Sequence, residues 1–143
     1  MENYLFVYGS LMKDFFNYKY IKNKVLERKY ARTKGKLFHQ VDKGYPAMID
    51  GEDYIYGELL KFNDWDNVIK SLDRLENYYG EENPQNEYNR VIVDVEILEE
   101  GCVVKAFVYK VNLKDEDKFI EKNIYIKSGN WKEFMEKKVL SNW

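Results

Sequence analysis

The sequence is poor in the residues that build disulfide frameworks, linkers and membrane spans. Its 143 residues include one cysteine, Cys102, so internal disulfides are excluded and a reducing compartment, the cytoplasm, is expected. Two prolines and eight glycines leave no room for a long flexible linker. No run approaches the roughly 18 apolar residues of a membrane span, and the first residues do not resemble a signal peptide. We therefore expect a single domain over residues 1–143 with no membrane association.

The sequence also lacks a large excess of positive or negative charge, since the formal net charge is only −2. The exception is the stretch from Lys13 to Lys36, which holds nine Lys and Arg residues and only Asp14 and Glu27 as acids. Basic residues with interleaved aromatics suit a nucleic-acid surface. A solvated helix and strand face is the simpler interpretation, so we expect no nucleic-acid partner.

What the sequence has is hydrophobic patterning, typical of a packed domain with 45% hydrophobic and 17% aromatic residues. The patterns predict strands over residues 4–8, 31–38, 47–49, 54–62, 91–97 and 103–111, and helices over residues 14–21, 66–76, 115–122 and 131–138. Long hairpins with few helices favour an α+β fold over a regular βαβ array. The unbroken apolar first strand fits the middle of a mixed sheet or small barrel.

Glu76 is the residue that points most clearly to chemistry. It lies on the apolar stripe of the helix predicted over residues 66–76. The other members of that stripe are Trp65, Val68, Ile69, Leu72 and Leu75. A buried carboxylate is costly unless it is neutralised, paired or used, so Glu76 is a candidate proton carrier. The alternative is a frayed helix end from which Glu76 reaches water or pairs with Arg74 or Arg90.

A second candidate site follows the first strand, at Tyr8, Gly9, Ser10 and Leu11. A glycine directly after a buried strand allows a sharp turn and brings bare backbone close to a ligand. Free N–H groups in such a turn form a concavity that holds anions, including small carboxylates. An ordinary strand-ending turn is the alternative.

Other side chains offer less specific signals. Tyr88 and Arg90 alternate with the inward valines of their strand, so either could line a pocket or face solvent, and Tyr109 could do the same from the partner strand. The single histidine, His39, has no partner signature for a catalytic triad. Zinc spacings, an EF-hand loop, a P-loop and a GxGxxG motif are all missing, so we expect neither a metal nor a cofactor.

Four motifs in this order resemble the γ-glutamylcyclotransferase-like (AIG2-like) family. They are Tyr8-Gly9-Ser10-Leu11; Gly44-Tyr45-Pro46-Ala47 with Tyr56-Gly57-Glu58-Leu59; Leu72-Asp73-Arg74-Leu75-Glu76 with Tyr88-Asn89-Arg90; and Ser128-Gly129-Asn130-Trp131. The resemblance implies a small mixed β-barrel with flanking helices, and a cavity between the Tyr8–Leu11 loop and Glu76. It implies Glu76 as catalytic acid and base, with the loop backbone holding a γ-glutamyl group.

The implied reaction cyclises the γ-glutamyl group of a small γ-glutamyl amine or amino acid to 5-oxoproline and releases the amine. We expect Tyr8, Gly9, Ser10, Leu11, Tyr88, Arg90 and Tyr109 to contact this substrate. The chain departs from the family at Asn77, where Gly is frequent, and in a longer 80–86 insert. A non-catalytic small-molecule-binding domain of the same fold is the alternative function. The sequence leaves open whether the protein is a monomer or a homodimer.

Overall fold

The computed structural model describes residues 3–13, 15 and 17–141, and the side chains of 139–141 lie outside the description. The described residues form six strands and three α-helices. The strands are β1 (Leu5–Val7), β2 (Val25–His39), β3 (Pro46–Phe62), β4 (Tyr88–Ile97), β5 (Cys102–Val111) and β6 (Ile124–Tyr125). The helices are α1 (Trp65–Leu75), α2 (Glu116–Lys122) and α3 (Trp131–Ser141).

The strands form one sheet whose hydrogen bonding closes into a ring. The sheet order is β3-β1-β5-β4-β2-β6, and β2 also pairs with β3. β1 pairs in parallel with β5 and antiparallel with β3, so the sheet is mixed. The predicted α+β fold, a small mixed β-barrel with flanking helices, is confirmed.

The first strand lies in the middle of the sheet because it is apolar on both faces. Leu5, Phe6 and Val7 are each at most 3% exposed. Strands buried on both faces read as continuous hydrophobic runs, which is how β1 appears in the sequence. Tyr8 and Gly9 leave this strand directly at the centre of the fold.

Helix α1 packs the predicted apolar stripe against the sheet. Val68, Ile69 and Leu72 are buried, and Trp65 and Leu75 pack at the edge of the same core. The helix ends at Leu75, one residue before Glu76. Glu76 therefore lies at the end of the helix, on the side that faces the core.

Two predicted elements differ from the structure. The helix predicted over residues 14–21 is a chain of turns followed by a 3-10 turn at Tyr18–Tyr20, with residues 14 and 16 outside the described part. Aromatic residues are weak helix formers, and the described part is held by turn hydrogen bonds, such as Tyr18 N–H to the Phe15 carbonyl and Asn17 N–H to the Ser10 carbonyl, both at 3.0 Å. The strands predicted over 47–49 and 54–62 are one strand, β3, because β2 pairs with both parts of it, on either side of a register shift between Lys34 and Lys36.

The Ser128–Trp131 motif docks α3 onto the barrel. Gly129 has φ +68°, and its carbonyl accepts a hydrogen bond from the Tyr56 N–H at 2.8 Å. A Cβ at this position would lie 1.8 Å from the Tyr54 carbonyl oxygen, so only glycine fits. Trp131 follows, 1% exposed, and its Nε1–H donates to His39 Nδ1 at 3.3 Å. His39 is thus a buried structural residue.

Candidate active site

A partly open cavity lies at the end of β1. The empty space at this point is about 390 Å³, a figure that includes open solvent at the mouth. It is lined by Phe6, Val7, Tyr8, Gly9, Ser10, Leu11, Tyr45, Pro46, Glu76, Tyr88 and Tyr109. Among these residues only Ser10, Tyr45 and Glu76 are partly exposed, and the others are buried. These three residues therefore surround the mouth, and the buried ones form the floor and walls.

Glu76 contributes a carboxyl group with an unusual environment. Its backbone N–H still bonds to the Leu72 carbonyl at 2.9 Å, so the residue continues the last turn of α1. No described residue forms a hydrogen bond or an ion pair with its carboxylate. Desolvation by burial, with a smaller contribution from the nearby charge of Glu87, raises the pKa of Glu76 to about 7. Glu76 therefore exchanges a proton most readily near neutral pH.

The alternative that Glu76 pairs with an arginine does not hold among the described residues. Arg74 contacts the Ser71 hydroxyl at 3.5 Å. Arg90 donates to both oxygens of Asp73, at 2.9 and 3.3 Å. Arg90 also lies outside the cavity lining, so the structure does not bring it to the site with the other predicted residues. The reason is that the guanidinium group of Arg90 binds the carboxylate of Asp73, which lies on another face of α1.

The loop after β1 lines the cavity with Gly9, Ser10 and Leu11. No described residue accepts a hydrogen bond from the N–H of Gly9, Ser10 or Leu11. The loop itself is fixed from its other side, because the Lys13 N–H donates to Glu58 Oε1 at 3.0 Å and Asn17 Nδ2 donates to the Ser10 hydroxyl at 2.7 Å. Buried N–H groups without a partner favour an acceptor from a ligand.

Gly9 is required where the loop passes Pro46. A Cβ on Gly9 would lie 2.6 Å from Pro46 Cγ, closer than two such atoms approach each other. The missing side chain therefore keeps the cavity open between these two lining residues.

Four tyrosines form much of the wall, and each hydroxyl already has a partner. Tyr8 donates to the Tyr109 carbonyl at 2.6 Å, and Tyr88 donates to the Pro46 carbonyl at 3.1 Å. Tyr109 donates to Asp73 at 2.7 Å, and Tyr45 donates to Glu87 at 2.8 Å.

Their burial determines how these tyrosines titrate. Desolvation is the largest cause that raises the pKa of all four hydroxyls above the ordinary tyrosine value. They stay protonated near neutral pH, which leaves Glu76 as the group of the described cavity lining that titrates there.

Sequence reasoning missed Tyr45, Pro46 and Glu87 as site residues. Tyr45 and Pro46 belong to the second family-like motif, which was a usable signal. Glu87 carried no signal, because its partners come from distant segments. Its carboxylate accepts from Tyr45, from Lys43 Nζ at 2.5 Å and from Asn77 Nδ2 at 2.9 Å. Although desolvation opposes it, these donors lower the pKa of Glu87, so the two neighbouring carboxyls titrate apart.

A family model described as γ-glutamyl cyclotransferase, AIG2-like, matches residues 5–133. The chain belongs to this family. A curated relative, the γ-L-glutamyl-butirosin B γ-glutamyl cyclotransferase of Niallia circulans, is 29% identical over 111 residues, which cover 78% of this chain and 68% of the relative.

Solved structures of similar proteins extend the comparison. YkqA from Bacillus subtilis is 29% identical with a TM-score of 0.67, and the match covers 96% of this chain but only 43% of that longer protein. The protein PH0828 from Pyrococcus horikoshii is 18% identical with a TM-score of 0.63, and the match covers 96% of both chains. The second likeness supports the γ-glutamyl cyclotransferase fold alone.

The departure from the family at Asn77 has a structural explanation. Asn77 has φ +52°, the left-handed conformation that glycine adopts easily and that asparagine tolerates. The turn after Glu76 is therefore kept. Unlike glycine, Asn77 adds a side-chain hydrogen bond to Glu87.

The basic stretch Lys13–Lys36 contains several cations that are paired with acids of neighbouring strands and turns. Pairs at 4.0 Å or less involve Lys24, Arg28, Lys29, Arg32 and Lys34. Such pairing offsets the positive field that a nucleic acid requires. The absence of a nucleic-acid partner stays a prediction.

Residues 3–13, 15 and 17–141 also show no sign of a metal site or a membrane-spanning helix. No three His, Cys, Asp or Glu side chains of this part cluster in a way that suits a metal ion. None of its helices is long and apolar enough to cross a membrane.

Proposed function

We propose that the protein is a γ-glutamyl cyclotransferase that cyclises the γ-glutamyl group of a small substrate to 5-oxoproline. The single observation that carries the proposal is the position of Glu76, a carboxyl group with a raised pKa, on a cavity that also contains the Tyr8–Leu11 loop. Family membership supports the same reaction, and the Niallia circulans relative is named for a γ-glutamylated substrate.

The proposed reaction is intramolecular and needs no water. Ionised Glu76 takes a proton from the substrate α-ammonium, and the freed amine attacks the γ-carbonyl carbon to form a five-membered ring. The carbonyl becomes a tetrahedral oxyanion. Glu76 then returns the proton to the nitrogen of the leaving amine, and the original C–N bond breaks as the carbonyl re-forms. The ring nitrogen still carries one surplus proton, which passes to the departing amine, so that 5-oxoproline and the ammonium form of the amine leave. One carboxyl group serves first as base and then as acid.

The remaining lining has two tasks in this proposal. The N–H groups of Gly9, Ser10 and Leu11 hold the substrate carboxylate or the developing oxyanion. The buried walls fold the substrate so that its amine meets its own carbonyl, and such fixed geometry contributes up to about 7–11 kcal/mol in ideal cases. The tyrosine rings supply flat walls, because their hydroxyl protons are donated within the protein.

The test is an assay of 5-oxoproline release from a panel of γ-glutamyl amino acids, γ-glutamyl amines, glutathione and γ-L-glutamyl-butirosin B. Glu76→Gln should fold normally and lose at least about 100-fold in turnover, in line with the loss of a general acid and base. Glu81→Gln removes a carboxylate from the exposed loop nearby and should leave turnover unchanged. Wild-type turnover by Glu76→Gln would overturn the mechanism.

A non-catalytic binding domain predicts a different result from the same panel. Wild-type protein would then bind one or more of these compounds in calorimetry and release no 5-oxoproline from any of them. That combination would replace the cyclotransferase proposal with the binding one.

A further inference from the structure

The mouth of the cavity is built from three separate parts of the chain. Ser10 comes from the loop after β1, Tyr45 from the connection between β2 and β3, and Glu76 from the end of α1. A γ-glutamyl group held by the buried N–H groups of the first loop would leave its amine portion at this mouth, since the amine has to depart. Tyr45 is the aromatic side chain at that point.

Glu87 joins two of these three parts. One carboxylate oxygen, Oε2, accepts from the Tyr45 hydroxyl at 2.8 Å and from Lys43 Nζ at 2.5 Å. The other oxygen, Oε1, accepts from Asn77 Nδ2 at 2.9 Å. The Glu87 N–H also donates to the Asn77 carbonyl at 3.0 Å. We call Glu87 with these three partners the Glu87 clamp.

Asn77 connects the clamp to the turn that carries Glu76. Asn77 supplies the donor that ties Glu87 to the turn carrying Glu76, where a glycine would supply none. The left-handed turn would form with either residue, so the side chain adds the connection rather than the turn. Because the two carboxylate oxygens of Glu87 accept from three separate side chains, the clamp holds Tyr45 in one position.

We propose that Glu87 is a positioning residue, which fixes the Tyr45 ring as a wall for the leaving amine and keeps its own charge beside the Glu76 turn. The inference rests on the proposed function. It assigns leaving-group selection to Tyr45 and the adjustment of the Glu76 proton affinity to Glu87. Neither residue exchanges a proton with the substrate.

The electrostatic part concerns the groups that face Glu76 from each neighbouring element. They are Tyr8 after β1, Tyr45 before β3, Tyr88 in β4, Tyr109 in β5 and Glu87 before β4. The tyrosines are neutral near pH 7, so Glu87 is the charged member of this set. Its negative charge disfavours ionisation of Glu76 and so raises the pKa of Glu76.

Two variants separate the two roles of the clamp. Tyr45→Phe keeps the ring and the charge of Glu87 and removes one hydrogen bond. Glu87→Gln keeps the shape and removes the charge. Glu81→Gln, in the exposed loop before β4, is the matched control for a lost carboxylate.

The kinetic readout compares γ-glutamylglycine with γ-glutamylphenylalanine, which differ only in the leaving amine. Tyr45→Phe should raise KM for γ-glutamylphenylalanine by about fivefold, as expected for one lost hydrogen bond. The kcat for this compound, and both KM and kcat for γ-glutamylglycine, should change little. Equal changes for both compounds, or none, would overturn the assignment of Tyr45 to the leaving amine.

The second readout needs no turnover. The carboxyl signal of Glu76, assigned by its loss in Glu76→Gln, is followed by NMR from pH 4 to 9. Glu87→Gln should lower the pKa of Glu76, whereas Tyr45→Phe and Glu81→Gln should leave it unchanged. An unchanged Glu76 titration in Glu87→Gln would refute the charge role even if the enzyme is active.

A double-mutant cycle in urea completes the test. Tyr45→Phe and Glu87→Gln should destabilise the protein non-additively, because they break the same hydrogen bond. Additive losses would show that the clamp does not form in solution. Loss of the cyclotransferase activity itself is judged separately, by Glu76→Gln, so the two proposals fail on different measurements.

Discussion

The hydroxyl of Tyr109 donates to Asp73 Oδ1 at 2.7 Å, one helical turn before Glu76. Arg90 shares the same carboxylate from β4. Asp73 therefore ties the last turn of α1 to two strands of the barrel, and the position of Glu76 depends on this tie. Tyr109 lines the cavity and also anchors, through Asp73, the end of the helix that leads to Glu76.

Tyr109→Phe should loosen this tie while it preserves the cavity wall. We expect a loss of about 1 kcal/mol in the free energy of unfolding, the usual value for one hydrogen bond. We expect kcat to fall about tenfold, because small displacements of a catalytic group have large effects on rate. Urea denaturation and initial rates of 5-oxoproline release measure the two quantities.

A matched control is Tyr125→Phe on the exposed strand β6. It removes a comparable hydrogen bond, from the Tyr125 hydroxyl to the carboxylate of Asp53 on β3. It should change neither quantity appreciably. If Tyr109→Phe loses stability but keeps wild-type kcat, Asp73 supports the fold without positioning Glu76.

The pH dependence of the rate should report the raised pKa of Glu76. Glu76 must be ionised to accept the first proton, so kcat/KM should rise with pH and level off above about 7. The profile of initial rates between pH 5 and 9 measures this limb. A limb near 4.5, the ordinary glutamate value, would mean that the carboxylate is solvated in solution.

The free energy of unfolding should also depend on pH through Glu76, and it should fall as the pH rises. The pKa of Glu76 is higher in the folded protein, about 7, than the ordinary value of 4.5, so the folded state binds this proton more tightly. The resulting stabilisation is complete below pH 4.5 and is lost as the pH rises through 7.

Glu76→Gln removes this dependence. At pH 8 the variant should be more stable than the wild type by on the order of 3 kcal/mol, whereas near pH 4 the two should be similar. Urea denaturation at both pH values tests this. A variant that is equally destabilised at both would indicate that Glu76 contributes packing rather than a buried charge.

Gly9→Ala should damage the site through contact with Pro46. The added methyl would lie 2.6 Å from Pro46 Cγ, so either the loop or the Tyr45–Pro46 segment has to move. We expect a loss of about 1–3 kcal/mol from overpacking and a marked rise in KM. Gly51→Ala is the control for crowding away from the cavity: its added Cβ would lie 2.5 Å from Lys36 Cγ and 3.2 Å from the Lys36 backbone nitrogen, so it should reduce stability without a rise in KM.

A Gly9→Ala protein with unchanged stability and KM would contradict the close approach of the two segments. A loss of stability without a rise in KM would place the crowding outside the substrate cavity.

Gly129→Ala should be the most destabilising of these changes. The methyl would overlap the Tyr54 carbonyl, and the backbone has a positive φ that alanine adopts poorly. We expect a loss of more than about 3 kcal/mol, because both effects act at one residue. Thermal denaturation measures it, with Gly44→Ala as a control that has positive φ and no atom within 4 Å.

Local patterns in the sequence were sufficient for several features. The alternation in β4 and the stripe of α1 reflect burial on one face, and the apolar run of β1 reflects burial on both, and burial follows from side-chain chemistry. The irregular segment around Tyr18–Tyr20 was predicted as a helix because its aromatics recur at short spacing. Its actual turns are set by contacts with the loop after β1, which local spacing does not encode.

For the candidate site, the sequence by itself determined that one carboxylate stands on an apolar helix face and that a glycine turn follows a buried strand. Only the tertiary structure brought these two features to one cavity. It also paired Arg90 with Asp73 outside that cavity, and it placed Tyr45 on the cavity wall with Glu87 as its hydrogen-bond partner. The physical reason is that periodicity records which face of an element is buried, whereas partners far apart in the chain meet only when the barrel closes.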